Sequence, residues 1–462
     1  MDALGVGQLV HIDFIMNLIQ ICKHISPFST VTSLSMHLTK RSKGIYMAKQ
    51  AMTEDDWRAK RFEASELFTP SAPITLADMF AGRREQIIKL LDVIGERGRH
   101  AIIYGEPGVG KTSISQIIKL MVPVRTSVVR YVRKAAFSSD TFSTIWMEVF
   151  REIKFIADTE DGQRLNTVSD LYSEGVKPSD VVRELSLFNE NDIPIIVIDE
   201  FNLVQDKDTS RLMAETIKAL SDDGIKATVI IVGISDSVAD LIEGHQSITR
   251  CTEEVLMPRM DTEETKDIVE GRIRQLGMTI EGDAKWKIIN LTKGLPAFAH
   301  GLGREAVLSA INRRSLRISE ADADAAIDAV VNSNQNSLKT EYQVATHSNH
   351  TRARYRQILM ACAMAQSDEV GYFTPKEVEI PLSSVLKKET KVEYFNDNLK
   401  ELASAKRGNV LTQQGGARTH RYRFRNPAMQ PYVIMRGITD GFLSEDAMNA
   451  LSQPEQGNLF ST

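Results

Sequence analysis

No stretch of the sequence reaches the roughly eighteen consecutive apolar residues that a membrane-spanning helix requires, so a soluble chain without membrane partners is expected. Positive charge is not in excess either. With 56 Lys and Arg against 61 Asp and Glu, the formal net charge is -5, and any contact with nucleic acid has to come from a local patch. Cysteine is scarce: Cys22, Cys251 and Cys362 lie far apart, without the spacing of a disulfide framework or a zinc site, and a reducing cytoplasm is the expected setting. His347 and His350 have no acidic or cysteine neighbours that would make a metal site. Leu9 to Met36 is fairly apolar, but Asp2 and Asp13 precede Lys23, so the basic start of a secretory signal is missing. What remains is ordinary. Hydrophobic content of 42% and charged content of 25% suit a globular protein, and at about 100–200 residues per domain the length predicts several domains.

Their order is legible along the chain. Residues 1–51 form an N-terminal extension, or an upstream translation from a misplaced start, because the composition turns charged and helix-like only after Met47 and Met52. Apolar, β-prone runs at Arg99 to Tyr104, Ser127 to Val132, Ile193 to Asp199, Ala227 to Ile234 and Glu254 to Met257 alternate with helical patterns, among them Thr112 to Met121, Phe142 to Ile156 and Asp208 to Leu220. This alternation predicts an α/β domain at 52–258 with a mainly parallel sheet. Four helices follow at Asp261 to Leu276, Gly282 to Thr292, Pro296 to Asn312 and Ser319 to Asn332, a helical lid at 259–335. The polar residues 336–351 read as a linker. Helices at Arg352 to Gln366, Thr374 to Ile380 and Tyr394 to Ser404, then a hairpin from Asn409 to Arg425 turning at Gly415-Gly416, suggest a winged helix at 352–440. Residues 441–462 read as a disordered tail.

The chemistry starts at Gly105-Glu106-Pro107-Gly108-Val109-Gly110-Lys111-Thr112, which matches the Walker A pattern between a predicted strand and a predicted helix. Its glycines let backbone N–H groups face phosphate oxygens, Lys111 meets the β- and γ-phosphates, Thr112 holds Mg²⁺, and Ser113 completes the turn. The strand from Ile193 ends in Asp199 and Glu200, a Walker B pattern in which Asp199 holds the hydrated Mg²⁺ and Glu200 activates water. ATP and Mg²⁺ are therefore the expected ligands. Ser235, past the next strand, is either a sensor of the γ-phosphate or part of a surface turn. Arg250 is either a finger toward a neighbour's nucleotide, which implies a nucleotide-dependent homo-oligomer, or a surface salt-bridge residue.

Phe80-Ala81-Gly82-Arg83-Arg84-Glu85 resembles the Gly-Arg box of the origin-recognition and replication-initiator clade of AAA+ ATPases. The order of box, Walker motifs, Ser235, Arg250, lid and winged helix resembles that clade over about residues 60 to 440. The resemblance implies that Gly82 and Arg83 line the adenine side. One motif departs from it. Where initiator ATPases carry a lid arginine, this chain has Gly294-Leu295-Pro296-Ala297, and Gly-Leu-Pro resembles the lid motif of the STAND signalling ATPases, with Pro296 packing near the base. Arg304 is either a substitute or part of a solvated helix face. The resemblance then implies a slow ATPase acting as a nucleotide-dependent switch. Alternatives are an ATP-gated DNA-binding initiator or loader, and a regulatory ATPase subunit that controls a partner effector in a prokaryotic stress or defence system.

The patch for nucleic acid is local. Lys406, Arg407, Arg418, Arg421, Arg423 and Arg425 have no acidic residue between the first and the last. In Arg421-Tyr422-Arg423-Phe424-Arg425 the strand period puts three arginines on one face and two aromatics on the other. Arg418, Arg421, Arg423 and Arg425 are candidate contacts for duplex DNA phosphates, against a solvated or protein-docking face. Gln456-Gly457-Asn458-Leu459-Phe460 resembles the peptide that docks on bacterial sliding clamps, the alternative being an unstructured end.

Overall fold

A computed structural model of the chain describes residues 52–70, 83–123, 127–159, 162–242, 245–333, 336–348, 354–416 and 419–441. The N-terminal extension, Gly82, His350, Arg418 and the tail with its Gln456 to Phe460 peptide lie outside them. Among the described residues no helix is long and apolar enough to cross a membrane.

The first part runs α1 (Glu54–Leu67), α2 (Arg84–Gly95), β1 (His100–Tyr104), α3 (Lys111–Met121), β2 (Val128–Ala135), α4 (Phe142–Glu152), β3 (Lys154–Thr159), β4 (Gly162–Thr167), α5 (Pro178–Ser186), β5 (Asp192–Asp199), α6 (Lys207–Asp222), β6 (Thr228–Val232), α7 (Val238–Leu241) and β7 (Thr252–Leu256). Five of these strands form one parallel sheet in the order β2-β5-β6-β1-β7. Both faces are covered, which is why β5 and β6 read as unbroken apolar runs. One face packs Ile102, Ile196, Ile198, Val229 and Ile231 against Trp146 and Phe150 of α4, Leu185 of α5 and Ile217 of α6. The opposite face carries α2 and α3, whose Leu90, Ile114, Ile117 and Ile118 are buried. Because all five strands run the same way, the loops after β1, β5 and β6 gather at one edge. That edge holds the site.

Two segments differ from the sequence expectation. The helical pattern expected through Ile156 ends at Glu152, and β3 and β4 then form a separate antiparallel hairpin. The apolar residues Ile153, Phe155 and Ile156 suit helix or strand equally over so short a run, and strand pairing decides. The stretch expected as a linker contains α12 (Asn336–Thr346), because Leu338, Tyr342 and Ala345 recur at helical spacing and are buried.

Preceding it come α8 (Thr262–Gln275), β8 (Thr279–Ile280), α9 (Gly282–Leu291), α10 (Pro296–Asn312), β9 (Arg317–Ile318) and α11 (Glu320–Asn332). Asp261 caps α8 by accepting from Glu264 N at 2.7 Å, and Ser319 and Asp322 form a similar box on α11. Beyond α12 come α13 (Tyr355–Met364), α14 (Pro375–Leu386), α15 (Asn396–Leu402), the antiparallel pair β10 (Leu411–Gln414) and β11 (Arg421–Phe424), and α16 (Met429–Thr439). Tyr422 and Phe424 point inward, as the alternation requires.

Two buried histidines make this core sensitive to acid. His100 on β1 accepts from Val229 N through Nδ1 at 3.1 Å, and burial lowers its pKa to about 4. His300 on α10 accepts from Thr69 N at 3.0 Å, and burial, with Arg272 adding repulsion, lowers its pKa to about 3. Both folded values lie below the unfolded value of about 6.5, so the unfolded chain binds more protons and stability falls as pH drops below that value. Each group contributes a slope of up to about 1.4 kcal/mol per pH unit until its folded pKa is reached. Thermal melts should therefore show Tm falling from pH 7 to pH 5. The slope should flatten in the His100→Asn, His300→Asn double variant; an identical slope would exclude these two groups as its origin.

Candidate functional site

The turn after β1 is built for close approach of backbone. Gly105 has φ +142°, and a Cβ there would stand 2.5 Å from the Met257 carbonyl oxygen beyond β7, so a larger residue would push the strands apart. From Gly105 to Gly110 the chain wraps over the start of α3, whose first turn carries Lys111, Thr112 and Ser113. The free N–H groups of that turn and the loop form an anion cradle. Lys111 folds back into it, donating to Gly105 O at 2.9 Å and Glu106 O at 2.6 Å. Burial lowers the Lys111 pKa to about 8, with Glu200, Asp199 and Glu106 opposing the shift. At neutral pH the ammonium remains charged, and a phosphate would offer it a stronger acceptor than two carbonyls.

The neighbouring strand supplies the acids. Asp199 ends β5 with its carboxylate almost fully buried, its Oδ1 accepting from Glu200 N at 2.9 Å. Glu200 takes a left-handed backbone conformation, φ 55°, sparsely populated by residues other than glycine. That bend aims the half-buried Glu200 toward the Lys111 side of the sheet edge, where its charge acts on the ammonium. The hydroxyl of Thr112 and the carboxylate of Asp199 are hard oxygen donors of the kind Mg²⁺ takes, with phosphates and water completing its shell. Asp199 also has a partner that no motif signals: Arg133 on β2 donates to Oδ2 from Nε at 3.1 Å and Nη2 at 2.6 Å.

Ser235 pairs with Gly105 in an antiparallel bridge, directly beside the cradle. Its Oγ donates to Ser237 O at 2.7 Å, so the hydroxyl is engaged within its own turn. Arg83 is buried rather than open to a ligand: Nη2 donates to Val109 O at 3.1 Å, Nη1 lies 3.6 Å from Glu264, and it ties the loop to α8. Pro296 occupies the first turn of α10, behind Gly294, whose backbone accepts from Met260 N at 2.9 Å. Arg304 lies 3.9 Å from Glu305. Arg250 pairs with Asp222 at the end of α6, at the edge of the sheet opposite the cradle. It therefore cannot reach its own site.

The C-terminal unit meets this site directly. Arg259, two residues beyond Met257, donates to Glu106 from Nε at 2.6 Å and Nη2 at 3.2 Å, and also bonds Gln430 of α16. Gln430 is anchored by donating to Ala363 O at 2.8 Å. Gly371, with φ +82°, lies so close to Glu106 that a Cβ would collide with the carboxylate. Asp236, one residue past Ser235, accepts from the Tyr372 hydroxyl at 3.0 Å and from Arg423 of β11. Arg421 pairs with Asp368 at 3.1 Å, and both guanidinium groups stack on Tyr372, 4.4 and 4.6 Å from its centroid. Burial pushes the Tyr372 hydroxyl up to about 12, so it stays a donor at physiological pH. Arg425, on an exposed position, lines a cavity of about 360 Å³ between Pro107 and Pro427. Arg423 thus turns toward the sheet edge, while Arg421 is held by Asp368 and Gln414 of its own unit.

The model of the family described as novel STAND NTPase 1 matches residues 74–368. No curated protein matches the sequence. Among solved structures the chain is similar to the Orc1 protein of Aeropyrum pernix in complex with DNA, at 16% identity over 81% of this chain and 96% of that one, with a TM-score of 0.44. It is also similar to Cdc6p of Pyrobaculum aerophilum, at 15% identity over 82% and 99% with a TM-score of 0.43. A third is a Walker-type ATPase of Pyrococcus abyssi, at 14% identity over 80% and 99% with a TM-score of 0.45. The family match spans more than half of the chain and covers both the phosphate cradle and the Gly-Leu-Pro turn of the lid, and the chain belongs to the novel STAND NTPase 1 family.

Proposed function

We propose that the protein is an ATP-binding switch that hydrolyses ATP slowly with Mg²⁺ and reports its nucleotide state through a C-terminal winged helix, residues 352–440. The observation that carries this reading is the double contact between that unit and the site: Arg259 bridges Glu106 of the cradle to Gln430, and Asp236 holds Tyr372 and Arg423. Phosphates entering the cradle add negative charge beside Glu106, whose carboxylate is nearly buried against Arg259. Arg259 then has a competing anion, which weakens the bridge. In this scheme Lys111 and the loop N–H groups bind the phosphates, Thr112 and Asp199 hold the metal, and Glu200 orients the attacking water. A ligand moves such an equilibrium only by binding one arrangement better than the other, and this competition supplies the difference. The test is a distance between α6 and the β10–β11 hairpin. It should lengthen with a slowly hydrolysed ATP analogue; one distance in every nucleotide state would contradict the switch.

ATP-gated binding of duplex DNA is a second reading favoured by the same contact. Asp236 neutralises Arg423 in the closed arrangement, and opening frees its guanidinium group for phosphates, whereas Arg421 stays paired with Asp368 of its own unit.

A further inference from the structure

The least expected group in the site is Arg133. It stands on edge strand β2 in register with Val197, two residues before the pair Ala135↔Asp199, and reaches along β5 to the Walker B carboxylate. Strand alternation puts it on the same face as Tyr131, whose hydroxyl donates to Ser115 O of α3 at 2.9 Å. The guanidinium therefore lies on the phosphate-cradle side. Two of its N–H groups converge on Asp199 Oδ2 while Glu200 N takes Oδ1, leaving both oxygens of a nearly buried carboxylate occupied. A metal held through Asp199 needs the electron density that Arg133 already draws on. An isolated buried carboxylate is costly, so without metal this fork keeps Asp199 compensated and in place.

We propose that Arg133 is the metal-free counter-ion of Asp199, a positioning residue whose displacement sets the magnesium requirement of nucleotide binding. This rests on reading the Gly105 to Thr112 cradle as the nucleotide site. Two consequences have opposite signs. Arg133 competes with Mg²⁺ for Asp199 and raises the concentration of metal needed. It also offsets the Asp199 charge when metal is absent, which supports nucleotide binding without Mg²⁺. Neutralising Arg133 should lower the half-saturating Mg²⁺ concentration and weaken metal-free binding together, each by about tenfold, as expected for charge-assisted hydrogen bonds.

The experiment titrates the full chain with a fluorescent ATP analogue, first in EDTA and then across free Mg²⁺ concentrations, for wild type, Arg133→Gln, Arg133→Lys and Lys111→Ala. The proposal expects Arg133→Gln to shift the Mg²⁺ midpoint down and to weaken binding in EDTA. Arg133→Lys, which keeps the charge but loses the fork, should fall between it and wild type. A midpoint in Arg133→Gln equal to wild type overturns the proposal. If that variant fails to fold, as judged by circular dichroism, Arg133→Lys decides by the same criterion. Failure of the site reading looks different: wild type would not bind the analogue, or Lys111→Ala would bind it as well as wild type does.

Discussion

Glu200→Gln will remove hydrolysis and leave nucleotide binding in place. The carboxylate stands at the carboxyl end of β5 on a left-handed residue, beside Asp199 and close enough for its charge to act on Lys111. An amide keeps the shape of the side chain but can neither accept a proton from water nor polarise it strongly. Loss of a positioned general base typically costs about 10²–10⁴-fold in rate. In the proposed site, binding rests on the loop N–H donors, Lys111, Thr112 and Asp199; the substitution removes none of them and takes away only the Glu200 charge beside Lys111. Lys111→Ala should behave differently, losing binding and turnover together, because it removes the buried cation that now holds Gly105 O and Glu106 O. Phosphate release measured beside equilibrium binding separates the two variants. Equal turnover in wild type and both variants would remove the catalytic assignment.

The second large effect is expected at Asp236. Its carboxylate accepts from Tyr372 and Arg423, and the pair is only partly exposed, so it should contribute more than a surface salt bridge. Asp236→Asn keeps the size and loses the charge. An expected loss of about 1–2 kcal/mol corresponds to roughly a 5–30-fold shift from closed to open arrangement. Nucleotide, which favours the open arrangement, should then bind more tightly, as measured by equilibrium titration with a fluorescent ATP analogue. Arg423→Gln should have a similar effect, and the double variant should shift affinity no further than either alone. Strictly additive effects would show that the two residues act independently.

The cradle was legible because its chemistry depends on local sequence. Glycines at 105, 108 and 110 take backbone conformations other residues avoid, and an apolar strand leading into two acids can be read without a partner. The parallel sheet was legible for a similar reason, since strands buried on both faces have to be apolar throughout. The long-range contacts of the site were not. Arg259 meets Glu106 across 153 positions, Arg423 meets Asp236 across 187, and Arg133 meets Asp199 across 66. Nothing in the local pattern of any of these arginines distinguishes an ion pair from a solvated face. The β10–β11 hairpin shows both sides of this. Alternation correctly sent Tyr422 and Phe424 inward, but the destination of Arg423 depended on how the hairpin is docked. Helix α12 was missed because its buried apolar positions, Leu338, Tyr342 and Ala345, lie in an otherwise polar segment.

Nucleotide is expected to separate the C-terminal unit from the cradle. Spin labels at Lys218→Cys on α6 and Gln413→Cys on β10, both exposed positions, with Cys22 replaced by serine, would report that separation by pulsed electron resonance. A single narrow distance distribution is predicted without nucleotide, and a longer, broader distribution with the slowly hydrolysed ATP analogue, abolished by Lys111→Ala. The same distribution with and without the analogue, under conditions where binding is saturated, would contradict the account.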